Sequence, residues 1–216
     1  MVERQKRAAA HAAAELVPEG ARVGLGTGTT VAYLLPALAA RGLDGLRCVA
    51  TSPTTERAAR ALGLAVVELD ALDALDIAID GADEIDPRGW LIKGGGGAHT
   101  REKIVAAAAR RFVVIASAEK AVPELAPPVP VEIMPFGSHT TLAAIAPARL
   151  RDVPPSPDGN LIADYLGAID DPRRLSTRLS GTPGVIEHGL FAPGLVSDIL
   201  IAHDDGVEHR RGDKRT

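Results

Sequence analysis

Four carboxylates, Asp80, Asp83, Glu84 and Asp86, crowd the nine residues IDGADEIDP at 79–87. Like charges at such spacing repel, so the cluster must be solvated, paired with cations or used on a ligand. A little further on, KGGGGAHTREK at 93–103 offers Lys93, four consecutive glycines and another carboxylate, Glu102. Carboxylates beside a lysine can move protons and hold sugar hydroxyls; they can equally grip a hard cation, which favours oxygen ligands. A glycine run forfeits backbone entropy and marks either close approach to a ligand or a sharp turn. Glu102 falls in the first turn of the helix expected after the glycines. The helix dipole alone would favour a carboxylate there by about 0.3–1 kcal/mol, so a purely structural role also accounts for it.

Upstream, GLGTGTT at 24–30 joins a strand-like run to a helix-like one. The free N–H groups of a helix start suit an anion, glycines let backbone approach closely, and Thr27, Thr29 and Thr30 add hydroxyl donors. The dinucleotide fingerprint is absent, because Thr29 stands where its third glycine belongs, and so is the Gly-Lys-Ser/Thr of a nucleotide P-loop. A plain tight turn would use the same residues.

These residues need a scaffold. Among 216 residues 46% are hydrophobic and only 3% aromatic, so the core must be aliphatic. Apolar runs at 21–26, 46–52, 65–69, 74–80 and 111–117 alternate with alanine-rich segments of helical length. That pattern predicts a doubly wound, Rossmann-like α/β domain with a mostly parallel sheet covered on both faces. From about Pro127 the texture changes. PPVPVEIMPF, DGNLIADYL and GVIEHGLF read as strands, with SHTTLAAIAPARL and DPRRLSTRLSG as helices between them. This is the order of a smaller α+β domain of ferredoxin-like, split βαβ type. RLRDVPPSPDGN should add a short or irregular strand, and SDILIAHDDG a last strand returning to the first sheet. The expected division is residues 1–128 with 204–216, and 129–203. Ligands of open α/β sheets bind beyond the carboxyl ends of the strands, and those ends collect 24–30, 51–55, 80–83 and 117–120.

Composition excludes other classes. A net charge of −4 without long runs of one sign leaves no footprint for nucleic acid. No stretch of eighteen uninterrupted apolar residues predicts a membrane span. The alanine-rich N-terminus carries Glu3, His11 and Glu15 and reads as a helix rather than an export signal, so a cytoplasmic protein is expected. The single cysteine, Cys48, lies in an apolar run and reads as a buried thiol. Six dispersed histidines give no zinc-ligand spacing.

GTGTT, DGADEID, KGGGGAHTREKIVA, SAEK and DGN, in this order and spacing, resemble type A ribose-5-phosphate isomerase across nearly the whole chain. The resemblance implies interconversion of ribose 5-phosphate and ribulose 5-phosphate through an enediol(ate), in the non-oxidative pentose phosphate pathway, without metal or cofactor. It implies a small-molecule pentose phosphate as partner and a homodimer. By motif position it makes Glu102 the base between C2 and C1, with Asp80, Asp83 and Lys93 around the sugar oxygens. Thr27, Gly28, Thr29, Thr30, Gly81, Ala82, Gly94, Gly95, Gly96 and Lys120 would bind substrate, and Lys6 would sit near the phosphate. Of the four clustered acids, Glu84 and Asp86 are then expected to be solvated or paired. Gly97 and His99 depart from the family's usual alanine and apolar residue, and TSPTTERA from its serine-rich loop.

Overall fold

A computed structural model describes residues 1–214. The N-terminal alanines form α1 (Val2–Ala14), followed by β1 (Arg22–Leu25), α2 (Thr29–Ala40), β2 (Arg47–Ala50), α3 (Pro53–Ala61) and β3 (Leu75–Gly81). Next come β4 (Glu84–Ile85), β5 (Leu91–Ile92), α4 (His99–Ala108) and β6 (Ala109–Ser117). The following stretch contains β7 (Val129–Ile133), α5 (Ser138–Ala144), β8 (Ala148–Leu150), β9 (Leu161–Tyr165), α6 (Pro172–Ser180) and β10 (Val185–His188). The chain then forms β11 (Leu190–Phe191), β12 (Asp198–Ala202) and β13 (Val207–Arg211).

A six-stranded sheet runs β13-β12-β6-β3-β1-β2, parallel throughout except for β13. Its apolar runs are buried on both faces. Ile77, Ile79, Val113 and Ile115 pack with the alanines of α1 and the leucines of α2. The alternate residues, Ala78, Phe112, Val114 and Ala116, pack with Val105 and Ala106 of α4. Alanine on α1 lets that helix lie close to the sheet, which is why a core with so few aromatics still fills. The chain steps outward from β1 to β2 and then returns to β3 on the other side of β1. This reversal of strand order opens a crevice between the carboxyl ends of β1 and β3.

The second sheet, β10-β7-β9-β8, is antiparallel and built as β7-α5-β8-β9-α6-β10, the expected split βαβ arrangement. A three-stranded sheet, β11-β5-β4, lies between the two.

Several expectations are corrected. The run at 65–69 is not a strand; only Val66 bridges to Cys48, at the sheet edge, before a 3-10 turn at Leu69–Ala71 takes the chain away. The helix expected over 138–150 ends at Ala144. Pro147 has no N–H to donate and disfavours helix at the residue before it, so Ala148–Leu150 pairs with β9 instead. That strand takes in Arg149 and Leu150, the start of the segment 149–160 expected to supply a short strand. GVIEHGLF divides at Gly189 between two sheets. β12, which lies before the 203/204 boundary, is buried and pairs with β6 in the six-stranded sheet, as expected of a strand returning to the first sheet. β13, an antiparallel edge strand on β12, was not foreseen.

Candidate active site

Parallel register sets Leu25 beside Ile79 and Gly81 beside Ile115, so the loops after β1, β3 and β6 open at one edge of the sheet. Asp80 is buried there, with Oδ1 accepting from Thr27 N at 3.1 Å and from Gly81 N at 2.7 Å. The loop after β1 must contain glycine at position 26, since a Cβ there would lie 2.0 Å from Asp80 Cγ. The loop is braced from behind as well. Thr55 Oγ1 donates to Gly26 O at 2.8 Å, Thr27 Oγ1 and Thr51 Oγ1 share a bond of 2.8 Å, and Ser52 caps α3. TSPTT is thus a support for the threonine loop.

Lys93, at the end of β5, is the centre of charge. Its Nζ lies 2.8 Å from Asp80 Oδ2 and 3.0 Å from Glu102 Oε2, and donates to Gly81 O at 2.6 Å. Phe191 presents its ring 5.4 Å from the ammonium. The two carboxylate oxygens are within ion-pair distance of Lys93 but receive no aligned hydrogen bond, so each keeps acceptor capacity. Burial opposes the charge on Lys93, yet its two carboxylate neighbours raise its pKa above the usual lysine range. Burial also pushes Asp80 upward against the pull of Lys93. Glu102 is pushed up to about 7, by burial first and then by the charge of Asp80, with Lys93 opposing. One ammonium cannot fully compensate two buried carboxylates, so the second is poised near neutrality.

Beside this triad lies an open cavity of about 110 Å³. Thr27 to Thr30 form one wall, Gly81 to Asp83 another, and Lys93 to Gly96 with Glu102 a third, while Lys120 stands at the rim. Gly28 (φ 111°) precedes the N-terminus of α2, which opens onto the threonine side. Asp83 Oδ2 accepts from Gly95 N at 2.8 Å. Two expected residues lie elsewhere. Asp80 sits behind the lining, turned inward because Thr27, Gly81 and Lys93 hold it; Lys6, on α1, pairs with Glu3 at 2.9 Å and is not part of the lining. The other two clustered acids are paired, Asp86 to Arg88 at 2.8 Å and Glu84 to Ala126 N at 2.8 Å. Among the described residues no His, Cys, Asp and Glu side chains gather as a metal-binding group.

Other residues around the site were not read from sequence. Glu132 of β7 is buried and accepts from Thr100 Oγ1 (2.5 Å), Ser156 Oγ (2.6 Å) and Asn160 Nδ2 (2.8 Å). Arg101 pairs with Asp158 at 2.6 Å, so the DGN segment and Glu132 tie the small sheet to α4 at residues 100 and 101, just before Glu102. The only advance signal was a charge inside each apolar strand, Glu132 in VEI and Asp164 in LIADY. His99 is fully buried with neither ring nitrogen hydrogen-bonded; burial and then Lys103 hold it neutral, with a pKa down to about 4. A larger cleft of about 500 Å³ lies along another side of α4, lined in part by Glu68, Asp70 and Ile104, without the lysine and glycine loop that give the smaller cavity its chemistry.

The family model described as ribose 5-phosphate isomerase A (phosphoriboisomerase A) matches residues 47–206. Ribose-5-phosphate isomerase A of Caulobacter vibrioides is 47% identical over 94% of this chain and 96% of its own length. The structure of ribose 5-phosphate isomerase A from Methanocaldococcus jannaschii superposes with a TM-score of 0.91 at 34% identity, covering 97% of this chain and 99% of the other. A D-ribose-5-phosphate isomerase in complex with phospho-erythronic acid superposes with a TM-score of 0.92 at 35% identity, covering 98% and 99%.

Proposed function

The chain belongs to the ribose 5-phosphate isomerase A family, and we propose that its isomerisation of ribose 5-phosphate runs on Glu102 as the single proton carrier. The observation that carries this reading is a buried carboxylate on the cavity wall, 3.0 Å from an ammonium and poised near pH 7.

Once the sugar is linear, Glu102 takes the proton from C2, and the C2–H electron pair becomes the C1–C2 double bond of an enediolate. The negative charge develops on the C1 oxygen, where the Lys93 ammonium is the nearby cation. Glu102 returns the proton at C1 while the C2 hydroxyl proton passes to the C1 oxygen, so that C2 becomes the carbonyl, C1 a hydroxymethyl group, and Glu102 is again a carboxylate. General acid–base catalysis contributes roughly 10²–10⁴-fold, so the remainder rests on stabilising that oxyanion and on positioning. Asp83 is placed to hold sugar hydroxyls and assist ring opening, while Asp80 keeps Lys93 charged and fixes the Thr27 peptide. A phosphate dianion beside three carboxylates would be repelled; it belongs on the far wall, against the start of α2, Thr29, Thr30 and Lys120. Phospho-erythronic acid, bound by a relative, has a planar carboxylate that matches an enediolate in charge and shape.

The reading extends to a homodimer working in the cytoplasm within the non-oxidative pentose phosphate pathway, without metal. No helix of the described residues is long and apolar enough to cross a membrane. The sheet pairings favour a division into 129–188 and the remainder of the chain. The deciding experiment follows ketose formation from ribose 5-phosphate by the purified protein and by Glu102→Gln. Turnover should fall by roughly 10²–10⁴-fold in the variant while phosphate-ester binding persists. Undiminished turnover would remove Glu102 as the base.

A further inference from the structure

The small sheet hydrogen-bonds to the glycine loop through the side chain of Arg151. Arg151, just past β8, donates from Nε and Nη2 to the carboxylate of Asp164 on β9 at 2.6–2.9 Å. From Nη1 it donates to Gly94 O at 3.1 Å and to Gly95 O at 3.2 Å. Both side chains are largely buried, 16% and 12% exposed. Gly94, Gly95 and Gly96 line the cavity, and without side chains they cannot fix their own peptide planes.

In a trans peptide the N–H points opposite to the C=O. With Gly94 O held by Arg151, the N–H of the same peptide, that of Gly95, meets Asp83 Oδ2 at 2.8 Å. With Gly95 O held by the same nitrogen, the Gly96 N–H points away from Arg151, in a residue that lines the cavity. On its other flank the loop is backed by His99, whose Nδ1 would lie 2.7 Å from a Cβ at position 94.

We propose that Arg151, anchored by Asp164, is a positioning residue for the isomerisation. It sets the peptide planes of Gly94–Gly96 so that Asp83 and the Gly96 N–H meet the sugar oxygens at the reacting end. The guanidinium fork is what the geometry uses, since lysine cannot serve a carboxylate and two carbonyls in fixed directions. This rests on the isomerase reading above.

The test compares the parent protein with Arg151→Met and Arg151→Lys. The readouts are kcat and KM for ribose 5-phosphate, competitive inhibition by inorganic phosphate, and the melting midpoint. Phosphate meets only the threonine wall, so its inhibition constant should stay close to the parent value in both variants. A loop displaced by about 1 Å should lower kcat on the order of 10²-fold, with little recovery in Arg151→Lys. Parent-like kcat in folded Arg151→Met, or phosphate affinity lost in parallel with kcat, would overturn the proposal. If Arg151→Met does not fold, Asp164→Asn carries the test, because it loosens the anchor and keeps the guanidinium; the same split supports the role and parent kinetics overturn it. A parent protein unable to isomerise ribose 5-phosphate sinks both readings, whereas an active parent matched by its variants sinks only this one.

Discussion

Lys93 Nζ stands 3.0 Å from Glu102 Oε2, and the two side chains are only 3% and 4% exposed. Asp80 claims the same ammonium at 2.8 Å, so Glu102 is left with a share of one cation in a dry setting. That share sets the basicity of Glu102.

The pH profile should report it. Burial and Asp80 raise Glu102 to about 7, so kcat/KM should climb with pH through that value as the base loses its proton. Stability should run the other way. A carboxyl whose folded pKa lies above its unfolded value binds more protons in the folded state. Between the ordinary glutamate value of about 4.5 and about 7, unfolding free energy therefore falls as pH rises. Asp80, also raised, adds to that slope. Denaturant titrations across this window should show a flatter dependence in Glu102→Gln; an unchanged slope would mean another group sets it.

Removing the cation should harm the fold as well as the rate. Lys93→Met leaves two buried carboxylates facing each other, and breaking a buried ion pair in this way costs about 3–5 kcal/mol. Chemical denaturation measures that loss. In whatever activity survives, the rising limb of kcat/KM should move above its parent position, because the ammonium that holds Glu102 down is gone.

Gly26→Ala tests the packing behind Asp80. The new Cβ, 2.0 Å from Asp80 Cγ, forces the carboxylate out of place. Overpacking costs about 1–3 kcal/mol, and kcat/KM for ribose 5-phosphate should fall with it. A variant with parent kinetics would show that Asp80 need not sit where it does.

Glu132→Ala would strand Thr100, Ser156 and Asn160, three donors that now share one carboxylate. Ser156 is buried while Thr100 and Asn160 are half-buried and border the larger cleft, so the full loss of about 1–3 kcal/mol for a buried unpaired donor applies to Ser156, and unfolding free energy should drop by at least about 1 kcal/mol. Glu132→Gln, which still offers an acceptor, should lose less.

Exhaustive chelation should leave turnover unchanged. The Lys93 ammonium already occupies the place between Asp80 and Glu102 that a hard cation would take. A requirement for added divalent ion would recast those acids as ligands.

The strand ends were legible because the doubly wound pattern is local: apolar runs, turn residues, helices. Asp80, Lys93 and Glu102 could be picked out since each closes or opens an element, where side chains meet ligands. What escaped was set by distant partners. Arg151 is an ordinary arginine among prolines until Asp164 and two glycine carbonyls, 13 and 57 and 56 residues away, fix it. Likewise 65–69 has a strand's composition, yet it meets the sheet only at its edge and departs after one bridge. Nothing in the spacing of IDGADEIDP separates Asp80, turned inward by backbone donors, from Asp83, which lines the cavity.

The placement of β12 has a consequence for biosynthesis. The strand that borders β6 is made after residue 197, and Gln5 of α1 finds Asp204 at 2.9 Å only once that segment exists. As the polypeptide leaves the ribosome, residues 129–188 can pair among themselves while the apolar edge of β6 still waits for a neighbour. Such an unsatisfied edge invites association with other nascent chains, so newly made protein should lean on chaperones until Asp198–Ala202 has emerged.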